Sequence, residues 1–435
     1  MIGKTWGLTP KTNYWMYRTM IVPIMTYASI VWWHKTKTFI VQDQLNKVQR
    51  LACLMITGSM KSTPTTAMEV LLNLSPLHLI VQKEARNTNH YFRISDKKEI
   101  NSLLDEKLFI EMCKINLIHK TKESDLISAK YEYEKEFLAK TPSRNEWQNE
   151  KVYFEEDALI WFTDGSLIND VAASGVYEEK TKTQLSVYLG HYTSVFMAEL
   201  YGIELAIKTF LDENVGNRTD NRAAIQSISN NKFKSKMVWN CRKLLNRLST
   251  TNSVTLIWVP GHSDIKGNEI ADELARKGTE LRTQTVEPIF GLTKTNNKNI
   301  STRWMKEESS KYWHQKPGMM HSKEFIGDYS LKKTNNLVKM SRRQVRILTA
   351  FLTGHCKANY HLKKMGLRTD DLCRICKEEE ETARHILCEC KGLENRRRRI
   401  LHAWNETVMP EDIWNLSLNK LYSFLKDIQI VKDEY

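Results

Sequence analysis

A chain of 435 residues that is 41% hydrophobic can bury substantial cores, and its length corresponds to roughly three domains. Its 65 Lys and Arg against 51 Asp and Glu leave a formal charge of +14, which favours a polyanionic partner, nucleic acid ahead of a membrane. Eight cysteines without a secretory leader exclude a secreted disulfide framework and point to reduced thiols in a nuclear or cytoplasmic protein; the apolar run Thr19 to Trp33 is shorter than the ~18 residues a bilayer span needs and is interrupted by Pro23, so no membrane is expected.

Residues 1–95 read as helical. Thr9-Pro10 suits a helix start, after which Tyr14, Tyr17, Ile21 and Met25 repeat on one face. A second helix over roughly 40–57 carries Val41, Leu45, Val48, Leu51, Ala52 and Met55, and a third follows Pro64 with Ala67, Val70 and Leu71. Residues 96–155 are highly charged without a regular apolar period, which predicts a linker holding one helical piece.

Residues 156–280 change character. Ala158 to Phe162 is a continuous apolar segment running into Asp164-Gly165, the pattern of a buried central strand ending in a turn. Ala172 to Tyr177 and Gln184 to Leu189 read as two further strands, with Lys180 to Lys182 as the turn between them. In the helix from Met197 to Phe210, Leu200, Ile203, Ile207 and Phe210 recur at helical spacing and Glu199 lies on or beside that stripe. Asp220 immediately precedes another apolar-periodic helix. Val254 to Val259 reads as a buried strand entering the Pro260-Gly261-His262 loop, and a helix carrying Asp272 follows.

Together, Asp164 in "FTDGS", Glu199 in "MAELYGI", Asp220 in "TDNRAAI", and His262 and Asp272 in "WVPGHSDIKGNEIADELA" resemble a type 1 ribonuclease H domain, in the family's order. The resemblance implies an α/β fold, a mixed five-stranded sheet with helices on both faces, and endonucleolytic cleavage of the RNA strand of RNA–DNA hybrids. It also implies two Mg²⁺ ions: Asp164 bridging both, Glu199 and Asp220 on one, Asp272 on the other, and His262 moving a proton or helping product leave. The chemistry is consistent, because in-line phosphodiester hydrolysis uses one ion to orient hydroxide and one to hold the leaving oxygen, and Mg²⁺ takes hard oxygen ligands. Ser166, Asn169, Asn221 and Arg222 flank these acids and suit contacts to a minor groove and its 2′-hydroxyls; turn chemistry is the competing use, and the better one for Asn169. The segment Val215 to Thr219 is short and poor in strand formers where the family carries an apolar strand. That departure leaves a second expectation, a catalytically inactive nucleic-acid-binding remnant.

Residues 281–300 read as a linker and 301–365 as helical again, with Trp304 and Trp313 bracketing one helix and a basic second one around Arg342, Arg343 and Arg346. Residues 366–400 contain Cys373-x2-Cys376-x8-His385-x4-Cys390, a spacing for one tetrahedral Zn²⁺; Cys388 is a possible competitor of Cys390 for the fourth place. Arg396 to Arg399 fit an import or nucleic-acid patch and equally a solvated helix face. Residues 401–435 read as a helical tail around Trp404, Trp414 and Leu421. The segments "MIVPIMTYASIVWW", "LNKVQRLACLMITGSMKSTPTTAMEVLLNLSPL" and "EARNTNHYFRI" resemble the thumb-like region after the polymerase core of non-LTR retrotransposon reverse transcriptases, and the finger resembles the zinc knuckle that ends many of them. This implies the C-terminal part of a polyprotein with a polymerase region upstream.

Overall fold

The computed structural model describes residues 7–94, 108, 125–148, 158–191, 193–213, 222–261, 265–281, 294–401 and 408–428. The chain divides into two units, residues 1–85 with 301–435 and residues 86–300. The first helix, α1 (Pro10–Met16), starts where the Thr-Pro pair predicts, with the Thr12 N–H donating to the Thr9 hydroxyl at 3.1 Å. It continues through a π-turn, Tyr17–Ile21, to Thr26 and breaks at Ala28, whose φ is 50°. The wider π-turn shifts the helical phase. Tyr14 and Tyr17, before and at its start, are buried as expected, whereas Ile21 at its end, expected on the same face, is 40% exposed. Among the described residues no helix is long and apolar enough to cross a membrane.

After the short turns Ser29–Trp32 and Trp33–Lys37 come α2 (Phe39–Thr57), stopped by Gly58 in the left-handed region, α3 (Thr65–Leu71) and α4 (Leu77–Ile94). Next come β1 (Leu126–Tyr131) and β2 (Leu138–Lys140), where the sequence predicts a charged linker. Their periods are too short to stand out, and their partners lie about a hundred residues onward: β1 pairs antiparallel with β6 (Lys232–Ser235), and β2 parallel with β7 (Thr255–Ile257). Phe137 is 2% exposed within the core formed by Leu200, Phe210, Phe233 and Leu245. The fully buried Arg242 stacks on its ring at 5.1 Å and donates to the carbonyls of Glu134 and Ile228. Residues 125–148 are therefore part of this unit's core. Phe137→Ala is expected to cost about 3–5 kcal/mol, by lost burial and the cavity it leaves. Urea unfolding of the full chain would read this as a lower midpoint, and an unmoved midpoint would mean the segment is only laid on the surface.

The central sheet is antiparallel in the order β3 (Trp161–Ile168), β4 (Val171–Glu178), β5 (Gln184–Gly190). Asn169 and Asp170, with φ of 50° and 65°, make the two-residue turn between β3 and β4, so Asn169 serves turn chemistry. The expected single five-stranded sheet is not formed among the described residues, which carry this three-stranded sheet and two separate pairs. The strand expected before Asp220 falls in 214–221, outside the described residues, and β7 finds its parallel partner in β2 instead. Helices do cover both faces. Trp161 and Val176 pack on Ala206 of α5 (Val195–Glu213), while the alternate residues Phe162 and Tyr177 pack on Ala271 and Leu274 of the helix Lys266–Gly278. Between those two helices lie α6 (Arg222–Ser229) and α7 (Lys236–Ser249), so Lys266–Gly278 is α8.

The chain returns to the first unit through α9 (Lys294–Gln315), α10 (Met320–Phe325), α11 (Leu331–Val338), α12 (Arg342–Thr353), α13 (Asn359–Lys364), α14 (Pro410–Asn415) and α15 (Leu418–Asp427). Ser341 and Gln344 form a capping box at the start of α12, and Gly354 in the left-handed region ends it. The N- and C-terminal helical regions share one core: Ala67, Val70 and Leu71 of α3 join Trp313, Phe325, Phe351, Phe424 and the finger cysteines Cys373 and Cys390. The four arginines are engaged inside this unit. Arg396 and Arg399 pair with Asp427, Arg398 pairs with Glu394, and the buried Arg397 donates to the Cys390 carbonyl at 2.8 Å.

Candidate active site and candidate metal centre

Three acids from distant parts of the chain meet beside the central sheet: Asp164 on β3, Glu199 on α5 and Asp272 on α8. Small residues permit the approach. A Cβ on Gly165 would sit 2.8 Å from the Glu199 backbone nitrogen, and one on Gly175 would sit 2.2 Å from the Ala271 carbonyl oxygen and 2.4 Å from the Ala275 nitrogen. A Cβ on Gly267 would enter the Phe162 ring. Ser186 adds a hydrogen bond to the Leu274 carbonyl at 2.7 Å, fixing α8 against β5. Helix α8 therefore lies closely on β4, one residue away from Asp272.

Burial, then the Asp272 charge beside it, raises the Asp164 carboxyl from the usual carboxylate range up to about 6, and side-chain hydrogen bonds link it to both Asp272 and Glu199. Glu199 is only 5% exposed. Clustered carboxyls behave this way when no cation compensates them. Hard oxygen donors gathered around one carboxylate fit Mg²⁺ in chemistry, and a dication would relieve the repulsion that raises Asp164. Arg276, one helical turn after Asp272, forks that carboxylate, with Nε 3.1 Å from Oδ1 and Nη2 bonded to Oδ2. Its role went unread in the sequence, although Asp-x3-Arg on a helix is the spacing of such a pair.

Ser166 is half-buried on β3, paired with Ala173. Arg222 opens α6. Asp220, Asn221 and His262 lie outside the described residues. The structure thus brings together three of the four expected carboxylates.

The second cluster lies in the other unit. One ligand atom each from Cys373, Cys376, His385 and Cys390 falls within 4.8 Å of the others. Cys373 Sγ and Cys390 Sγ are 3.9 Å apart, and Cys376 Sγ is 3.4 Å from His385 Nε2. Tetrahedral Zn²⁺ with bonds of ~2.3 Å to sulfur and ~2.0 Å to nitrogen would give edges of about 3.8 and 3.5 Å, so the donor set fits the ion. Glu379 stands 3.0 Å from His385 Nδ1, the arrangement that leaves Nε2 for a metal. Opposing its burial, the Glu378 and Glu379 backbone N–H groups and the His385 ring hold the Cys376 thiol down at about 6. Burial and then the neighbouring thiols push Cys390 up to about 12. Glu379, His385 and Glu389 also approach one another, but the carboxylates are exposed and Glu389 pairs with Arg384; three thiols favour the soft Zn²⁺ site. Cys388 lies outside the cluster, 3% exposed in the apolar core.

A buried ion pair within the finger also ties it to the start of α13. Glu381, fully buried, accepts from the Arg374 guanidinium and from the backbone N–H groups of Asn359 and Arg374. A search of curated proteins finds no match to this chain. A family model described as RNase H matches residues 156–280, the stretch that carries Asp164, Glu199 and Asp272, and this part of the chain is an RNase H domain.

Proposed function

We propose that residues 156–280 hydrolyse the RNA strand of RNA–DNA hybrids at internal positions. The observation that carries this reading is the convergence of Asp164, Glu199 and Asp272 beside the sheet, with Asp164 joined to both of the others. RNase H domains typically use Mg²⁺. Two such ions would supply an activated water on one side of the phosphorus and charge neutralisation of the leaving oxygen on the other. Asp164 would be a ligand of both ions, Glu199 with Asp220 would hold one and Asp272 the other. Arg276 pairs with the Asp272 carboxylate and would aim it until it is engaged. His262 would take up or deliver a proton beside the cleft, while Ser166, Asn221 and Arg222 would read the 2′-hydroxyls that distinguish RNA from DNA. The N-terminal motifs and the finger's spacing support placing this nuclease in the C-terminal part of a non-LTR retrotransposon reverse transcriptase polyprotein, with Zn²⁺ as a structural staple.

The test is incubation of the purified chain with an end-labelled RNA–DNA hybrid, single-stranded RNA and double-stranded RNA. With Mg²⁺ present, internal cuts in the RNA of the hybrid alone are the expected result. The short, glycine- and asparagine-containing stretch before Asp220 favours one other reading, a nucleic-acid-binding remnant. Hybrid bound but uncut in both Mg²⁺ and Mn²⁺ would select that reading.

A further inference from the structure

Residues 1–42 contain five Lys and Arg and no Asp or Glu, and residues 329–369 contain ten Lys and Arg and no Asp or Glu. The fold joins these two acid-free stretches within one unit. Val338 of α11 packs on Tyr14 and Tyr17, and the Arg342 guanidinium donates to the Leu8 carbonyl at 2.8 Å. Between α1 and α11 lies a groove of about 420 Å³, lined by Lys11, Tyr14, Trp15, Arg18, Asn335 and Lys339 among others, none of them acidic. Trp15 is 58% exposed although it stands in a helix whose neighbours Asn13 and Tyr14 are buried. Arg18 lies over the Tyr14 ring at 5.5 Å, which holds its guanidinium at the groove.

We infer that this groove binds a single-stranded polynucleotide, with phosphates on Lys11, Arg18 and Lys339 and a base stacked on Trp15. The cations select a polyanion, and no carboxylate in the lining opposes it. An exposed indole at the groove selects a strand whose base faces are open, because a duplex hides those faces except at its ends. The volume falls in the range of small-ligand sites, enough for roughly one nucleotide. This site belongs to the unit formed by the two chain ends and does not depend on the nuclease reading.

The test is fluorescence anisotropy of labelled oligothymidylate with the full chain, without divalent ions, across a range of salt concentrations. Trp15→Ala should weaken binding about tenfold, in line with the loss of one base–aromatic stack. The double variant Arg18→Glu/Lys339→Glu should weaken it further and flatten the slope of log affinity against log salt by about 1.4, roughly 0.7 for each phosphate no longer neutralised. These side chains are exposed, so thermal unfolding of both variants should match the parent. Wild-type affinity and slope in both variants would overturn the site and leave a protein segment as the groove's occupant. A loss on charge reversal with none at Trp15 would also overturn it, since only diffuse attraction would remain.

Discussion

Asp164→Asn is expected to reduce hybrid cleavage by about three orders of magnitude or more, while making the metal-free chain more stable at neutral pH. The first effect follows from removing a carboxylate proposed to be shared by both ions, whose charge stabilisation of the transition state amounts to several kcal/mol, at tenfold in rate for each 1.36 kcal/mol. The second follows from the carboxyl's environment. Burial and the neighbouring Asp272 raise Asp164 to about 6 in the folded chain, against about 3.9 when unfolded. A carboxyl raised in this way contributes stability that is fully present below about pH 4 and is lost as pH rises through 6. At pH 7 its ionised form opposes folding by an amount on the order of 2–3 kcal/mol, at the upper end only if solvent does not screen it. Asparagine keeps the shape and never ionises.

In thermal unfolding with a chelator, the parent should therefore lose several degrees between pH 5 and pH 7.5 relative to the variant. Mg²⁺ should restore the parent at pH 7.5 and leave the variant unmoved. A parent whose melting temperature ignores both pH and Mg²⁺ in that window would sink the idea that these three acids form one cation site.

The acids themselves were legible because each stands at a place where its pattern is unusual: Asp164 closing an apolar strand, Glu199 beside an apolar stripe, Asp272 in a helix after a glycine-rich loop. What the sequence hides is the means of approach. Gly165 and Gly267 look like ordinary turn and helix-start glycines, and Gly175 like a gap in a strand, yet each is the point where a helix lies against a strand too closely for a side chain. Contacts made at that range connect residues far apart in sequence, and no local period records them. The same holds for β1 and β2. A strand of three residues, Leu138 to Lys140, carries too few alternations to stand out, and only its pairing with Thr255 to Ile257 defines it. Phe137 gave no signal as one aromatic among several in a charged stretch, although Arg242 and the surrounding core close over it. The four arginines after the finger, which in sequence fit a binding patch and a solvated face equally, have partners no local pattern records: Asp427, Glu394 and the Cys390 carbonyl.

Removal of zinc is expected to unfold the unit formed by the two chain ends. A structural Zn²⁺ site contributes an apparent binding free energy on the order of 10 kcal/mol at neutral pH, comparable with the ~5–15 kcal/mol that holds a whole domain together. Here the finger is not an appendage. Cys373, Cys390, Ile386 and Leu387 are buried in the same core as Phe351 and Phe424, so loosening the finger opens that core. Elemental analysis should therefore find one zinc per parent chain and none in Cys373→Ser, whose first thermal transition should shift down or disappear. Cys388→Ala should keep the metal, because that thiol faces the apolar core, where burial pushes it up to about 12. Hybrid cleavage separates the units: it should persist in Cys373→Ser, whose substitution lies outside residues 156–280. A chain that carries no zinc as purified, and whose unfolding is unchanged by a chelator, would show that the four residues are held together by packing alone.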